Sequence, residues 1–209
     1  MTVQQALITF SIAAGVLTIT PGLDTALVLR TAAVEGCRSA ALAGLGVVTG
    51  CLVWGFTAAL GLGALLAASE FAFSVLKLAG ALYLFWLGVH LLLKPRSSFN
   101  IEAVPSGNPA RRGGSLRRGF FTNLLNPKVG VFYVSFLPQF LPANVAAGRF
   151  ILLLAALHAL MGIAWFAVLI LTTHRIARAL ARPAVARTLD RLTGLVFVGF
   201  GVKLALERR

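Results

Sequence analysis

The stretch Thr20-Pro21-Gly22-Leu23-Asp24 interrupts an apolar run that otherwise extends from residue 3 to residue 29. About 20 mostly apolar residues are what a helix needs to cross a bilayer. Proline has no N–H and ends the preceding helical turn. It suits the first position of a new helix, with Thr or Asn ahead of it as N-cap. The five residues therefore read as a break inside one membrane span, with Thr20 as the cap and Pro21 as the start of a half-helix. Asn126-Pro127-Lys128 interrupts the run 119–141 in the same way.

Four further apolar runs, 39–68, 71–93, 145–173 and 192–206, bring the expected spans to six, so the chain reads as an all-α, multi-pass membrane protein. Composition agrees. Apolar residues make up 58% of the 209 and charged residues 12%, against roughly 45–50% and about 25% in soluble domains. Mean hydropathy is +0.89. This excludes a soluble enzyme, and also disorder, which needs low hydrophobicity. Met1 to Gln5 carry no Lys or Arg, so the first run is expected to stay as a span rather than to leave as a signal peptide.

The net charge of +13 is explained by position. Arg30 and Arg38 fall in the connection 30–38. Lys94, Arg96, Arg111, Arg112, Arg117 and Arg118 fall in 94–118, and Arg175, Arg178, Arg182, Arg187 and Arg191 in 174–191. These are alternate connections, and the opposite ones hold Arg149 and almost nothing else. The positive-inside rule puts the basic connections in the cytoplasm and both termini outside, although Arg208 and Arg209 weigh mildly against this. The charge thus encodes topology and points to membrane lipid rather than nucleic acid. Residues 94–118, rich in Pro, Ser, Gly and Asn, read as a linker between a first unit, 1–93, and a second, 119–209. The segment 174–191, interrupted by Pro183, reads either as an amphipathic helix on the membrane surface or as an irregular basic loop.

The two units match each other. Lys77-Leu78-Ala79-Gly80 aligns with Arg191-Leu192-Thr193-Gly194, and Thr20-Pro21 with Asn126-Pro127. Three spans per unit is an odd number, so the two copies run in opposite directions through the bilayer. Inverted repeats with helices broken at corresponding places are a mark of secondary transporters.

The breaks fall at one depth. Pro21 precedes Leu29, and Pro127 follows Gly119, by the same number of residues. Both breaks then lie roughly 12 Å from the cytoplasmic edge at 1.5 Å per residue. Two half-helix N-termini, each with partial positive charge, converge there and suit a carboxylate. Asp24 and Lys128 flank the same place. A charge at the bilayer centre costs about 2.5–3.5 kcal/mol even on the lenient insertion scale, so such residues persist with a partner or a function. Asp24 is the one carboxylate expected inside a span. It is the candidate for a substrate ammonium or for the coupling proton. Lys128 pairs with it in the empty state or holds the substrate carboxylate. A static Asp24–Lys128 pair, or snorkelling to the interface, is the structural alternative.

At these residues the sequence resembles a family. Thr20-Pro21-Gly22-Leu23-Asp24 is similar to the Pro-Gly-Pro-Asp/Asn motif of the LysE/RhtB superfamily of amino-acid exporters, with Leu23 where that motif has its second proline. Asn123-Leu124-Leu125-Asn126-Pro127-Lys128 resembles its Asn-x-x-Asn-Pro-Lys motif. The stretch from Leu78 to Gly88 resembles its third span, and Phe136-Leu137-Pro138-Gln139-Phe140 the segment ending its fourth. The resemblance implies export of an amino acid or related small zwitterion across the bacterial inner membrane. It also implies coupling to the proton-motive force and a homodimer. The expected substrate site is then Thr20, Pro21, Gly22, Asp24, Asn123, Asn126, Pro127 and Lys128.

Other readings are weaker. Divalent-metal efflux needs an intramembrane cluster of Asp, Glu, His or Cys, and Asp24 with His158 makes a poor one. A passive small-solute channel remains an alternative. An intramembrane enzyme would need a Ser/His/Asp arrangement, HExxH or paired carboxylates, and none is visible, nor is any cofactor implied. Cys37 and Cys51 read as free thiols. Gly44, Gly46 and Gly50 read as close helix packing. His158, Trp54 and Trp165 read as packing residues of the second and fifth spans, His90 and His174 as interfacial, and Lys77 as an anchor at the outer face.

Overall fold

The computed structural model describes residues 1–68, 70–95, 112–143, 145–180 and 182–206. Every regular element among them is helical. Helix α1 (Val3–Ile19) opens on a capping box. Thr2 Oγ1 accepts from the Gln5 N–H, and the Gln5 side chain accepts from that of Thr2, so two orphan donors are satisfied. The order continues α2 (Leu23–Glu35), α3 (Cys37–Ala68), α4 (Glu70–Leu93), α5 (Arg112–Leu124) and α6 (Pro127–Val131). Helix α6 runs on through a π turn, Phe132–Phe136, and a 3₁₀ turn, Leu137–Phe140. Then come α7 (Ala147–Leu171), α8 (Thr173–Leu180) and α9 (Pro183–Leu206). Among the described residues, Cys37–Gly61 and Ala147–Leu171 are long and apolar enough to cross a membrane. The pair α1 and α2, bent by 50°, makes a third if it is one span.

The second break forms as its sequence demands. Asn126 is the N-cap of α6, its side chain accepting from the Lys128 N–H at 3.1 Å, and Pro127 sits at the first helical position. The first break differs. Thr20 closes α1 instead of opening α2. Its N–H and its hydroxyl both bond the Val16 carbonyl, at 3.1 and 2.6 Å. Its hydroxyl also meets that of Thr193. With that side chain committed, α2 starts at Leu23, on Gly22 as an N-cap without a side-chain bond.

Two boundaries also move. Helix α5 begins at Arg112, so the basic stretch from there to Arg118 is helical; residues 96–111 of the expected linker lie outside the described residues. Helix α9 begins at Pro183, because proline suits a first turn. Asp190 is therefore two turns inside that helix and fully buried.

The core has two centres. Phe10 of α1, Phe132, Tyr133, Phe136 and Phe140 of the segment after α6, and Ile151 and Leu154 of α7 form the first. Phe10 meets Phe140 edge-on with centroids 5.4 Å apart, a favoured aromatic geometry. Ala26, Val28 and Leu29 of α2 pack with Ala40, Val47 and Phe166 in the second. Helix α5 lies against α3 backbone to backbone. A Cβ on Gly46 would stand 2.0 Å from the Leu116 carbonyl oxygen, and one on Gly119 1.9 Å from that of Ala43. Small residues allow such approach. Meanwhile Leu60, Leu82, Trp86, Leu160 and Leu195 remain more than half exposed, as side chains that face lipid do.

Candidate functional site

The two breaks meet. Thr20, Gly22, Asp24, Asn126 and Lys128 line one cavity, closed by Val47 and Val48 of α3 and by His158, Trp165 and Phe166 of α7. The enclosed part is small, about 70 Å3, and opens through a wider mouth.

Asp24 stands in the first turn of α2, where the helix dipole favours a carboxylate. Its Oδ2 accepts from Asn123 Nδ2 at 2.9 Å. Its Oδ1 is buried and accepts no hydrogen bond from a described residue. Asn123, with no exposed surface, stands behind Asp24 at the end of α5, and its amide also lies 3.4 Å from Cys51 Sγ. Lys128 reaches back to the other break: its Nζ lies 3.7 Å from where a Cβ of Gly22 would be. One carboxylate and one ammonium thus come to one cavity, from α2 and α6 respectively.

The two helix starts are unequal. Asn126 fills that of α6. The start of α2 has no side-chain cap, and its first intrahelical bond is Ala26 N–H to the Gly22 carbonyl at 2.9 Å. The N–H groups of Leu23, Asp24 and Thr25 precede it and have no intrahelical acceptor. Leu23 is the first residue of the helix, where proline would fit equally, so the leucine leaves the break intact. Pro21 is buried in the bend. Pro127 does not line this cavity. With Asn126, Trp54, Tyr83 and Gly130 it lines a second, more apolar hollow against α3 and α4.

Several residues of the site carry weak signals in the sequence. Thr193 bonds Thr20 across the bend, and only its place in the repeat hinted at it. Cys51 and His158 line the cavity. His158 Nδ1 is 2.8 Å from the Tyr133 hydroxyl, a bonded histidine in the core. Glu35 ends α2 with its side chain 3% exposed and pairs with Arg118 at 2.6 Å. Glu35 and Asp190, both in stretches read as connections, are buried carboxylates that the sequence did not single out.

The LysE type translocator model matches residues 16–208, a stretch that includes both breaks. The chain belongs to the LysE type translocator family. It is accordingly a membrane protein, from a family of transporters rather than enzymes. This LysE-type chain is 32% identical to a leucine efflux protein of Klebsiella pneumoniae, over 95% of its own length and 93% of the relative's. It is 30% identical to a threonine efflux protein of Escherichia coli K12, over 90% and 91%. An uncharacterized membrane protein of Bacillus subtilis is 30% identical over 98% and 100%. No solved structure matches the chain.

Proposed function

We propose that this translocator is a secondary active exporter of a neutral amino acid or similar small zwitterion from the bacterial cytoplasm. The observation that carries the proposal is the pairing of Asp24 and Lys128 on one cavity with an apolar wall. The free Oδ1 of Asp24 takes the substrate ammonium. Lys128, with the open N–H groups of α2 beside it, takes the carboxylate. Leu17, Val47, Val48 and Phe166 offer an apolar side chain somewhere to go. Asp24 is the one carboxylate among the lining residues, which leaves a basic side chain without a counter-charge. The names of the leucine and threonine relatives support this substrate class.

In this reading the chain crosses the inner membrane six times, as inverted repeats 1–93 and 119–209 about a cytoplasmic linker, with both termini periplasmic. Asp24 exchanges a proton for the ammonium, which couples export to the proton-motive force, and two copies form a homodimer. Divalent-metal efflux gains no support, since no three His, Cys, Asp or Glu gather among the described residues.

The test is export from cells loaded with labelled leucine, threonine and lysine, with and without an uncoupler. Saturable, uncoupler-sensitive loss of a neutral amino acid is expected, and Asp24→Asn should abolish it at equal expression. Parental export by that variant would remove Asp24 from the mechanism. Non-saturating, uncoupler-insensitive flux would mark a channel.

A further inference from the structure

Helix α2 is bounded by a break at each end. At one end the chain is extended through Thr20 and Gly22 and bends by 50° between α1 and α2. At the other, Gly36 alone separates α2 from α3, with φ +88°, a conformation other residues rarely adopt.

Helix α2 is also tied to α5 twice. At its start, Asp24 accepts from Asn123. At its end, Arg118 Nη2 donates to both Glu35 oxygens, at 2.8 and 2.6 Å. Ser115 Oγ donates to Glu35 at 3.3 Å and accepts from Arg118 at 3.1 Å. Glu35 and Ser115 are both buried in this knot. The two ties are about 16 Å apart along α2 at 1.5 Å per residue, and Arg118 and Ser115 lie on α5 before Asn123, so the ties follow the two helices in opposite chain directions.

Helix α5 is not the part that moves. Carbonyl oxygens of Leu116 and Ala43 stand 2.0 and 1.9 Å from where Cβ atoms of Gly46 and Gly119 would be, so α5 and the stretch of α3 around Ala43 to Gly50 interlock and behave as one wall. The contacts of α2 with that wall differ in kind, and include the polar ties of Asp24 and Glu35 and aliphatic packing by Ala26, Val28 and Leu29.

We propose that α2 is the cytoplasmic gate of the carrier, and that Glu35, Arg118 and Ser115 are its latch. Asp24 and Glu35 sit on one helix, α2. A substrate ammonium that draws the Asp24 carboxylate from Asn123 undoes the inner tie. The outer tie must part for the cavity to open toward the cytoplasm, the side from which the substrate enters. The two ties act in series on one element, so ligand chemistry at the break is felt a helix length away. The three latch residues touch no substrate; they are positioning residues. The proposal rests on the exporter reading for its direction.

Cys51 supplies a readout independent of transport. It is buried and lines the cavity, whereas Cys37 is exposed. In a Cys37→Ser background, purified protein in lipid nanodiscs is treated with N-ethylmaleimide and the rate at Cys51 is followed by mass spectrometry. Glu35→Gln and Arg118→Gln are each expected to speed labelling at least fivefold. The charge exchange Glu35→Arg with Arg118→Glu is expected to return it to within twofold of the parent. Equal rates in all variants would overturn the latch. So would a fast rate that the exchange fails to reverse, since that reports loosened folding. A parent that exports no amino acid yet shows the expected labelling pattern would sink the exporter reading and leave the latch standing.

Discussion

Asn123 Nδ2 meets Asp24 Oδ2 at 2.9 Å, joining the helix after the first break to the helix before the second. Hydrogen bonds to charged groups contribute about 1.5–3 kcal/mol. Asn123→Ala removes this one from a buried carboxylate. The expected result is a lower Tm in detergent and export reduced at least tenfold. Asn123→Asp would replace the donor with a second carboxylate and set like charges against each other, so export is expected to be lost as well. If Asn123→Ala keeps both parental Tm and parental export, Asp24 does not depend on this contact.

The glycines divide into two groups that substitution separates. An alanine at Gly46 or Gly119 would drive a methyl to about 2 Å from a backbone carbonyl oxygen. Overpacking of this kind typically costs 1–3 kcal/mol, and here the obstructing atom is backbone and cannot rotate away. Gly15, inside α1, has nothing within 4 Å of its would-be Cβ. Alanine there gains about 1 kcal/mol of helix propensity. Thermal-shift measurements should therefore place Gly46→Ala and Gly119→Ala below the parent and Gly15→Ala at or above it. A reversed order would mean that α3 and α5 are not interlocked.

The breaks were legible in the sequence because proline and asparagine act locally: Asn126 needs only its own backbone to cap α6. Thr20 does not open α2 because its hydroxyl is claimed by Val16, one turn back, and by Thr193, 173 positions away. No local rule weighs a distant partner. Glu35 and Asp190 escaped notice for a related reason. Apolar runs mark where a span is greasy, whereas burial of a carboxylate depends on a helix that packs over it, as α5 does over Glu35 through Arg118 and Ser115. Depth alone sets Lys128 near Asp24, whereas its approach to Gly22 depends on the fold.

Tyr133 offers a test of what His158 does. The Tyr133 hydroxyl and His158 Nδ1 are 2.8 Å apart, and Phe132 packs on the same ring with centroids at 5.2 Å. Tyr133→Phe keeps the shape and removes the bond, a loss of about 1 kcal/mol. Were His158 a packing residue, Tm should fall by a few degrees while the maximal export rate changes less than twofold. A rate loss beyond tenfold at unchanged Tm would instead put the pair in the proton path.

Gly162 tests whether the apolar wall holds the substrate side chain. It lines the cavity from α7, and a Cβ there would stand 3.6 Å from Val48 Cγ2, an ordinary contact. Alanine should therefore be tolerated, and the two further methyls of valine must extend into the cavity. In apolar pockets a single methylene is worth about 1–3 kcal/mol of discrimination, or 10–200-fold. Gly162→Val is expected to raise KM for leucine at least tenfold and to leave KM for alanine within threefold, measured by competition in everted vesicles. Equal shifts for both amino acids would mean that the valine disturbs the helix or the zwitterion end. No shift for either would mean that the side chain lies elsewhere, and the hollow between Trp54 and Tyr83 would become the place to look.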